Sequence, residues 1–376
     1  MRILLLSPYH GGSHQAWAEG YKAHSSHTVD LLTLPARFWK WRMHGGAITL
    51  ARRWLAMAAQ PPDLILATDL LDLTTFLALT RAQTSNLPVV LYMHENQLTY
   101  PLPDDPTIGP MRRQLGERDR HYAFINYASM LAADQVYFNS RYHLDNFFDA
   151  LPPFLRHYPE YNEPDTVDIL KRKSSVLAVA VDFHHLDPEP LDALDAHAEP
   201  LILWNQRLES DKNPEQFITL LAELATEGVP FRVALCGERF GKPTAKWESA
   251  VEMLGMRVIH NGYADKDHYR RLLWEADITV STANHEYFGI SILEAIYCHT
   301  YPLLPARLSY PELIPPRFHA DCLYRGRVDL INRLRWALSN PPATREIAKR
   351  LAPEIAVYDW RRLAPHYDER FAAVGS

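Results

Sequence analysis

Residues 278–295, ITVSTANHEYFGISILEA, run from a short apolar segment through a polar loop into a helical pattern. Ile278–Ser281 has the character of a buried strand, and Gly289–Cys298 carries its apolar residues at helical spacing. A strand that leads through a loop into a helix is the repeating unit of an open parallel sheet. This stretch therefore predicts an α/β fold.

The same order recurs in both halves of the chain. The other predicted strands are Ile3–Leu6, Val29–Leu34, Leu64–Ala67, Val89–Met93, Leu201–Trp204, Arg232–Cys236 and Val258–His260. The other predicted helices start at about Ser13 or cover 45–59, Leu70–Arg81, Asn213–Thr226, Lys242–Leu254 and Lys266–Glu275. The pattern predicts two Rossmann-like, doubly wound domains. The carboxyl ends of their strands are expected at a central cleft, where such folds bind ligands.

Two segments break the alternation of strands and helices. Asp187–Pro200 is rich in Pro, Asp and Glu and is interpreted as the interdomain linker. Residues 150–173 contain several prolines and a Lys171-Arg172-Lys173 cluster, so this segment is predicted to be irregular.

The composition limits the class of protein. The 376 residues are 47% hydrophobic and 22% charged, which excludes intrinsic disorder. A net charge of −6 excludes binding of nucleic acid through overall charge alone. The three cysteines form no CxxC motif and indicate a reducing cytoplasm. No apolar run approaches the roughly 20 residues of a membrane span, so stable membrane insertion is not expected.

The quoted stretch contains the sharpest candidate site. Gly289 would let a ligand approach the backbone, and the unpaired N–H groups at the start of the helix can receive a phosphate. Glu294 lies among apolar neighbours, where a carboxylate needs strong donors such as the two hydroxyls of a ribose. Glu286, in the loop, could reach a sugar. The alternative is an acid that favours the helix dipole and a surface glutamate.

A second candidate site follows the strand Leu201–Trp204. Arg207 and Lys212 converge from one loop and suit the binding of a diphosphate. Asn213 can cap the next helix, and Pro214 fits its first position. The alternative is a solvated loop with an Asp211–Lys212 charge pair, which composition alone favours.

Two further loops follow strands of the N-terminal half. In the first loop, Gly11 and Gly12 leave room for a ligand, and Ser13 can cap a helix. His10 and His14 are interpreted as part of a polar turn rather than as a metal site. The second loop, Met93–Pro101, places polar residues at the end of a strand, where a histidine can hydrogen-bond a sugar or move protons. The alternative for that histidine is a loop residue satisfied by the backbone.

Two weaker patterns allow other functions. Asp104-Asp105 could hold the metal of a sugar transferase, although the surrounding prolines favour a turn. Between Asp30 and Asp63 there is no acidic residue, while basic and aromatic residues alternate in a way that could bind phosphates and stack on bases: Arg37, Phe38, Trp39, Lys40, Trp41, Arg42, Arg52, Arg53 and Trp54. An amphipathic segment whose tryptophans belong to the core is the favoured alternative.

Taken together, the motifs resemble those of retaining GT-B glycosyltransferases. Glu286 and Glu294 match the EX7E signature, and Arg207 and Lys212 match the basic pair of that family in position and spacing. The loops at Gly11–His14 and His94–Leu98 further resemble the glycosyltransferase family that includes tRNA-queuosine α-mannosyltransferases. This resemblance implies GDP-mannose as donor and queuosine at the tRNA wobble position as acceptor.

The resemblance also implies a domain division. The N-terminal, acceptor-binding domain would cover residues 1–183, together with a crossing helix at about 357–376. The C-terminal, nucleotide-sugar-binding domain would cover residues 184–356.

The resemblance implies roles for individual residues. Four residues are expected to act in catalysis. Glu286 would position the hexose, and Arg207 and Lys212 would stabilise charge on the diphosphate. His94 would lie beside the sugar. The expected donor-binding residues are Gly11, Gly12, Ser13, His14, Gly237, Gly262, Tyr263, Phe288, Gly289, Ile290 and Glu294. The expected acceptor-binding residues are Glu95, Asn96, Gln97 and Tyr100.

The implied mechanism needs no metal or other cofactor. The alternatives are a GT-B transferase for a lipid, polysaccharide or small molecule, and a non-catalytic nucleotide-sugar- or RNA-binding module.

Overall fold

The chain folds into two compact units. The structure, a computed structural model, describes residues 1–57, 60–101, 109–187, 199–237 and 243–374, with the backbone alone for residues 109–119. The first unit comprises Met1–Asp182 and Tyr358–Ser376, and the second comprises Phe183–Val357. Each boundary lies one residue from the expected one. Asp104-Asp105 and most of the expected linker, residues 188–198, lie outside the described residues.

The first unit is built on a six-stranded parallel sheet with the order β2-β1-β3-β4-β5-β6. Its strands are β1 (Arg2–His10), β2 (Thr28–Pro35), β3 (Leu64–Thr68), β4 (Val89–Met93), β5 (Gln135–Phe138) and β6 (Ser174–Val176). Every residue of β3 and β4 is buried, as expected for strands covered on both faces by helices. Because all strands are parallel, their carboxyl ends lie along one edge of the sheet.

Helices connect the strands of this sheet and cover it. They are α1 (Gly12–His24), α2 (Trp39–Ala56), α3 (Leu73–Thr84), α4 (Gly109–Ala132), α5 (Arg141–Leu155) and α6 (Thr166–Arg172). Residues 150–173 differ from the irregular segment expected, since α5 continues through Pro152 and Pro153 and α6 follows. The buried phenylalanines of α5, among them Phe147 and Phe148, hold the helix against the core despite the prolines.

The C-terminal segment belongs to the first unit. Val181 pairs with Asp359, and α15 (Trp360–Ala372) packs on α1. The indole N–H of Trp17 donates to the Tyr367 hydroxyl at 3.1 Å, and the Tyr21 hydroxyl donates to Asp368 at 2.9 Å. The last helix therefore completes the core of a domain from whose other elements it is separated in the chain by the whole second unit, Phe183–Val357.

The second unit has a six-stranded parallel sheet with the order β12-β11-β10-β7-β8-β9. Its strands are β7 (Leu201–Trp204), β8 (Arg232–Leu235), β9 (Val258–Asn261), β10 (Ile278–Val280), β11 (Tyr301–Pro305) and β12 (Leu323–Tyr324). Its helices are α7 (Pro214–Thr226), α8 (Ala245–Leu254), α9 (Lys266–Glu275), α10 (Ile290–Tyr297), α11 (Tyr310–Leu313), α12 (His319–Cys322), α13 (Gly326–Ser339) and α14 (Pro341–Ile355). Strands β7 and β10 are direct neighbours, which brings the loops that follow them together.

Two general expectations can be compared with the structure. All three cysteines are free thiols. Within the described ranges, no helix is both long enough and apolar enough to cross a membrane.

Candidate active site

The loop after β7 places a lysine inside the second unit. A short 3-10 turn, Ser210–Lys212, is followed by Asn213 in the left-handed region at φ 52° and by Pro214 at the start of α7. Asparagine tolerates this conformation, and proline suits the first helical position. The Asn213 side chain does not cap the helix as expected but bonds to Gln216. The turn directs the Lys212 side chain inward.

Lys212 is a buried cation that bridges the loops after β7 and β10. Its Nζ donates to the His285 carbonyl at 2.9 Å and to Oε2 of Glu286 at 3.0 Å, and it lies 3.2 Å from Oδ2 of Asp211. Burial alone would lower the pKa of Lys212, but the carboxylates of Glu286 and Asp211 outweigh it and raise that pKa. Lys212 therefore stays protonated throughout the physiological pH range.

Arg207 shares a carboxylate with Lys212. Its guanidinium lies 3.6 Å from Oδ2 of Asp211 and 3.0 Å from Glu209, and its side chain is 43% exposed. Asp211 is buried. The solvated loop considered from composition is therefore wrong for Asp211 and Lys212. The expected convergence of Arg207 and Lys212 is present, because Asp211 holds both cations.

Glu286 closes the site from the loop before α10. Besides Lys212, its carboxylate accepts the backbone N–H of Phe288 at 3.4 Å. Gly289 follows at φ 112°, where a residue with a side chain would be strained, and α10 begins at Ile290. The N–H groups of the first helical turn have no acceptor within the helix. An anion at this point would meet both the helix dipole and Lys212.

Glu294 lies one turn inside α10 and is held by a chain of polar groups. The Tyr269 hydroxyl donates to its Oε2 at 2.8 Å, and the Asn205 amide donates to Tyr269 at 3.1 Å and to the Ser291 carbonyl at 2.7 Å. Burial raises the pKa of Glu294 from an ordinary value of 4.5 to about 7, against the hydrogen bond from Tyr269. The carboxyl is thus half-ionised near neutral pH.

The residues expected to flank a base lie at the ends of β8 and β9. Gly237 packs so closely on the loop after β7 that an added Cβ would overlap the Gln206 carbonyl oxygen. Gly262 has φ 146° and open space around it, and the Tyr263 side chain is 77% exposed. Gly237 therefore sets the position of the loop that carries Arg207 and Lys212.

Gly237→Ala is expected to destabilise the second unit by about 1–3 kcal/mol, because the methyl group would push the Gln206–Arg207 backbone away. Thermal unfolding of the full chain measures this loss. Gly46→Ala is the matched control, since its Cβ would meet no described atom closer than 3.4 Å. Equal melting temperatures for the two variants would contradict the assignment.

The glycine turn after β1 is tightly packed at one residue and open at the next. A Cβ on Gly11 would come within 2.5 Å of the Ala36 Cβ, whereas Gly12 has φ 53° and no neighbour within 4 Å. Gly11, and not Ser13, occupies the N-cap position of α1, so the expected capping by Ser13 is wrong. Ser13 is exposed, and His14 is buried.

His94 lies in an aromatic cage at the end of β4. The centroid of its ring is 4.5 Å from that of His14 and 4.8 Å from those of Trp17 and Tyr92. Burial and the neighbouring histidines lower the pKa of His94 well below its ordinary value, so the ring is neutral. Its buried Nε2 has no hydrogen-bond partner among the described residues, which leaves it available to a ligand.

Asp69 is a site residue that the sequence analysis missed. It follows β3, and its Oδ1 accepts the backbone N–H of His94 at 2.9 Å, while its buried Oδ2 has no partner in the described part of the chain. Burial, followed by the charge of Glu95, raises the pKa of Asp69 well above its ordinary value. Its position directly after a buried strand was the available signal.

The acceptor residues expected in the next loop differ in exposure. Asn96 is fully buried, and its Oδ1 accepts the N–H groups of Leu98 and Thr99 at 3.0 and 2.9 Å. The expectation that Asn96 faces an acceptor is therefore wrong, because its side chain forms the turn itself. Glu95, Gln97 and Tyr100 are partly exposed. The first two are joined through a 2.9 Å hydrogen bond.

Comparison with known proteins decides the family. The family described as tRNA-queuosine alpha-mannosyltransferase N-terminal matches residues 2–181, and glycosyl transferases group 1 matches residues 192–353. A Drosophila melanogaster tRNA-queuosine alpha-mannosyltransferase is 33% identical over 324 residues, covering 83% of this chain and 81% of that protein. The chain belongs to the tRNA-queuosine alpha-mannosyltransferase family. It is accordingly a glycosyltransferase.

Other proteins are more distantly related to the chain. A GDP-mannose-dependent alpha-(1-6)-phosphatidylinositol dimannoside mannosyltransferase of Mycobacterium tuberculosis is 28% identical over 165 residues, or 44% of this chain and 42% of that protein. The Anabaena protein Alr3699/HepE, solved with UDP and glucose, has a TM-score of 0.68 at 16% identity and covers 99% of this chain and 100% of its own. Sucrose-phosphate synthase of Thermosynechococcus elongatus has a TM-score of 0.70 at 16% identity, with the same coverage. These structures show that the family member has the GT-B fold.

Proposed function

We propose that the protein transfers mannose from GDP-mannose to queuosine at the wobble position of tRNA, with retention of the anomeric configuration. The acceptor follows from the family whose N-terminal domain covers residues 2–181 and from the Drosophila relative. The donor is supported by the name of the mycobacterial relative, which specifies GDP-mannose. A reaction on tRNA, in a protein whose three cysteines are free, is assigned to the cytoplasm.

The observation that carries the proposal is the buried ammonium group of Lys212, which contacts the loop that leads into α10. In the structure the Glu286 carboxylate engages both Lys212 and the Phe288 N–H. These are the donors that an anionic diphosphate would use. We assign the diphosphate to this position, where it replaces Glu286 and releases that carboxylate to bind hydroxyl groups of the mannose.

The reaction then balances without a protein nucleophile. A hydroxyl of the acceptor attacks the anomeric carbon from the face on which the diphosphate leaves. The bond from that carbon to the diphosphate oxygen breaks, and a phosphate oxygen takes the proton of the hydroxyl. Negative charge grows on the diphosphate, so Lys212, Arg207 and the N–H groups of the first turn of α10 stabilise the transition state.

The remaining groups bind and orient the substrates. Glu294 is assigned to the ribose hydroxyls, because its ionised form gains from two donors. Gly237, Gly262 and Tyr263 are assigned to the base, and Gly289 and Ile290 to the distal phosphate. In the first unit, Gly11, Gly12 and His14 are assigned to the donor phosphates and neutral His94 to the mannose. Glu95, Gln97 and Tyr100 are assigned to the acceptor.

The transfer itself is tested with the full chain, GDP-mannose and two tRNA preparations, one containing queuosine and one lacking it. Nucleoside mass spectrometry is expected to show one added hexose on queuosine and none in the second preparation. UDP-glucose serves as the matched donor control and is expected to give no product. Donor binding without transfer would favour a non-catalytic module, and equal hexose addition to the tRNA that lacks queuosine would overturn the acceptor.

Metal independence is a separate prediction. Since Lys212 and Arg207 supply the positive charge, transfer in EDTA is expected to stay within about twofold of the untreated rate. Initial rates with and without added Mg²⁺ or Mn²⁺ measure this. Activity that EDTA abolishes and Mn²⁺ restores would instead require a metal site such as Asp104-Asp105.

A further inference from the structure

Two aromatic side chains at the start of α2 are exposed. The Phe38 side chain is 78% exposed and that of Trp41 is 62% exposed, whereas Trp54 of the same segment is buried. The favoured expectation of core tryptophans thus holds for Trp54 and fails for Trp41. Burial of apolar rings stabilises proteins, so their display in water contributes nothing to folding.

The backbone supports this display at some cost. Phe38 adopts φ 53° and ψ 56°, a left-handed conformation that is rare for a residue with a bulky side chain. Within α2, Gly45 weakens the helix, and a Cβ there would come within 2.5 Å of the Trp41 ring. The missing side chain at Gly45 therefore leaves room for the indole against the helix, while Trp41 stays 62% exposed. A strained residue and a helix-interior glycine thus lie where the two rings are exposed, which points to a ligand for those rings.

The charges around these rings favour an anionic partner. The segment between Asp30 and Asp63 holds five arginines and lysines and no acid, in a chain of net charge −6. Arg37, Arg42 and Arg52 form no ion pair with a described residue, and the guanidinium group of Arg42 donates to the Pro35 carbonyl at 3.2 Å. Cations that no described residue neutralises, beside open aromatic faces, match the phosphates and bases of single-stranded RNA.

The rings lie beside the candidate site of the first unit. Ala36, two residues before Phe38, packs against Gly11 at the turn after β1. Tyr9 and Trp39 pack on one small cluster formed by Met43, Leu70 and Tyr122. The start of α2 is therefore at the carboxyl edge of the sheet, the same edge that carries Asp69 and His94.

We propose that Phe38 and Trp41, with Arg37, Arg42 and Arg52, form the surface on which unpaired nucleotides of the tRNA bind. The rings stack on bases, and the guanidinium groups contact phosphates. The inference rests on the proposed function and adds to it the part of the protein that holds the RNA. A modified wobble nucleotide lies in an unpaired loop, so its neighbours offer open base faces.

The test measures binding of fluorescently labelled, queuosine-containing tRNA to the full chain, without donor, as a function of salt. Trp41→Ala and Phe38→Ala are expected to weaken binding about tenfold each. Arg42→Gln is expected to reduce the slope of log affinity against log salt by about 0.7–0.9 for its one phosphate contact. Trp336→Ala and Arg361→Gln, at exposed positions elsewhere, are the matched controls and should change neither quantity.

Steady-state transfer separates this inference from the proposed function. Trp41→Ala is expected to raise KM for tRNA about tenfold and to leave kcat and KM for GDP-mannose unchanged. No transfer by the wild type would defeat the proposed function. Wild-type transfer together with an unaltered tRNA KM in Trp41→Ala and Phe38→Ala would defeat the RNA surface alone. If light scattering showed that the wild type is a dimer and that Trp41→Ala is a monomer with unaltered tRNA affinity, the RNA surface would also be defeated and the surface assigned to self-association.

Discussion

Lys212→Ala is expected to lower the rate of mannosyl transfer by about 100- to 1000-fold. Its buried ammonium group is held between the carboxylates of Asp211 and Glu286, next to the loop that leads into α10. In the variant, the negative charge that develops on the leaving diphosphate no longer has the ammonium group as its stabilising partner, and little water is present to replace it. Single-turnover rates with saturating GDP-mannose measure the effect on the chemical step.

The same variant is also expected to be less stable, by about 3–5 kcal/mol, because Asp211 and Glu286 would face each other without the cation. The double variant Asp211→Asn with Lys212→Met removes a buried carboxylate together with the lysine. We expect it to recover much of the stability while transfer stays low. Transfer that recovers in parallel with the melting temperature would show that Lys212 only supports the fold.

Arg207 offers a comparison in the same loop. Its side chain is 43% exposed and shares the Asp211 carboxylate. Arg207→Ala is therefore expected to leave stability nearly unchanged and to reduce transfer less than Lys212→Ala does. Water can replace part of the field of an exposed cation but not that of a buried one.

Glu294→Gln is expected to weaken binding of GDP-mannose by about 10- to 100-fold at pH 8. The ionised carboxylate can accept two ribose hydroxyls, and each hydrogen bond to a charged group contributes about 1.5–3 kcal/mol. Glutamine keeps the shape and the bond from Tyr269 but lacks the charge. Calorimetric titration at pH 8 measures the loss, and an unchanged affinity would remove Glu294 from the donor site.

The pH dependence has a definite sign. With a pKa of about 7, Glu294 is mostly protonated at pH 6 and mostly ionised at pH 8. If binding needs the ionised form, the wild type should bind GDP-mannose about tenfold more weakly at pH 6 than at pH 8. The diphosphate diester of the donor does not titrate in this range, and His285, with a pKa of about 4, stays neutral. The affinity of Glu294→Gln should be flat across the same range.

The free energy of unfolding should change with pH in the direction opposite to the affinity for GDP-mannose. Because folding raises the pKa of Glu294 above 4.5, the free energy of unfolding falls as pH rises from 4.5 to about 7 and then levels off. The fall in the free energy of unfolding between these two pH values is at most about 3 kcal/mol. The ligand-free Glu294→Gln protein should therefore melt higher than the wild type at pH 8 and close to it at pH 5. An equal difference in melting temperature between variant and wild type at pH 5 and at pH 8 would contradict burial of the ionised carboxyl.

Much of the fold could be predicted from local patterns. Val89–Met93 and Leu201–Trp204 form strands at the predicted residues, since continuous apolar runs after prolines suit buried parallel strands. Helix α2 begins at Trp39 instead of residue 45, because Phe38 takes up a left-handed turn that no local pattern announces. The glycines and glutamates around α10 were identifiable since strand, turn and helix are consecutive in the chain.

Local patterns along the chain were sufficient for the α/β class, the two domains, and the residue types at the ends of the strands. Which of these groups are buried together became visible only in the folded chain: Lys212 with Glu286, Tyr269 with Glu294, and Asp69 with His94. It also decided that Trp41 is exposed while Trp54 is in the core. Strands and helices follow from neighbours in sequence. Desolvation and charge pairing depend instead on residues that are distant in the chain, such as Lys212 and Glu286, 74 positions apart, which meet only once the sheet has formed.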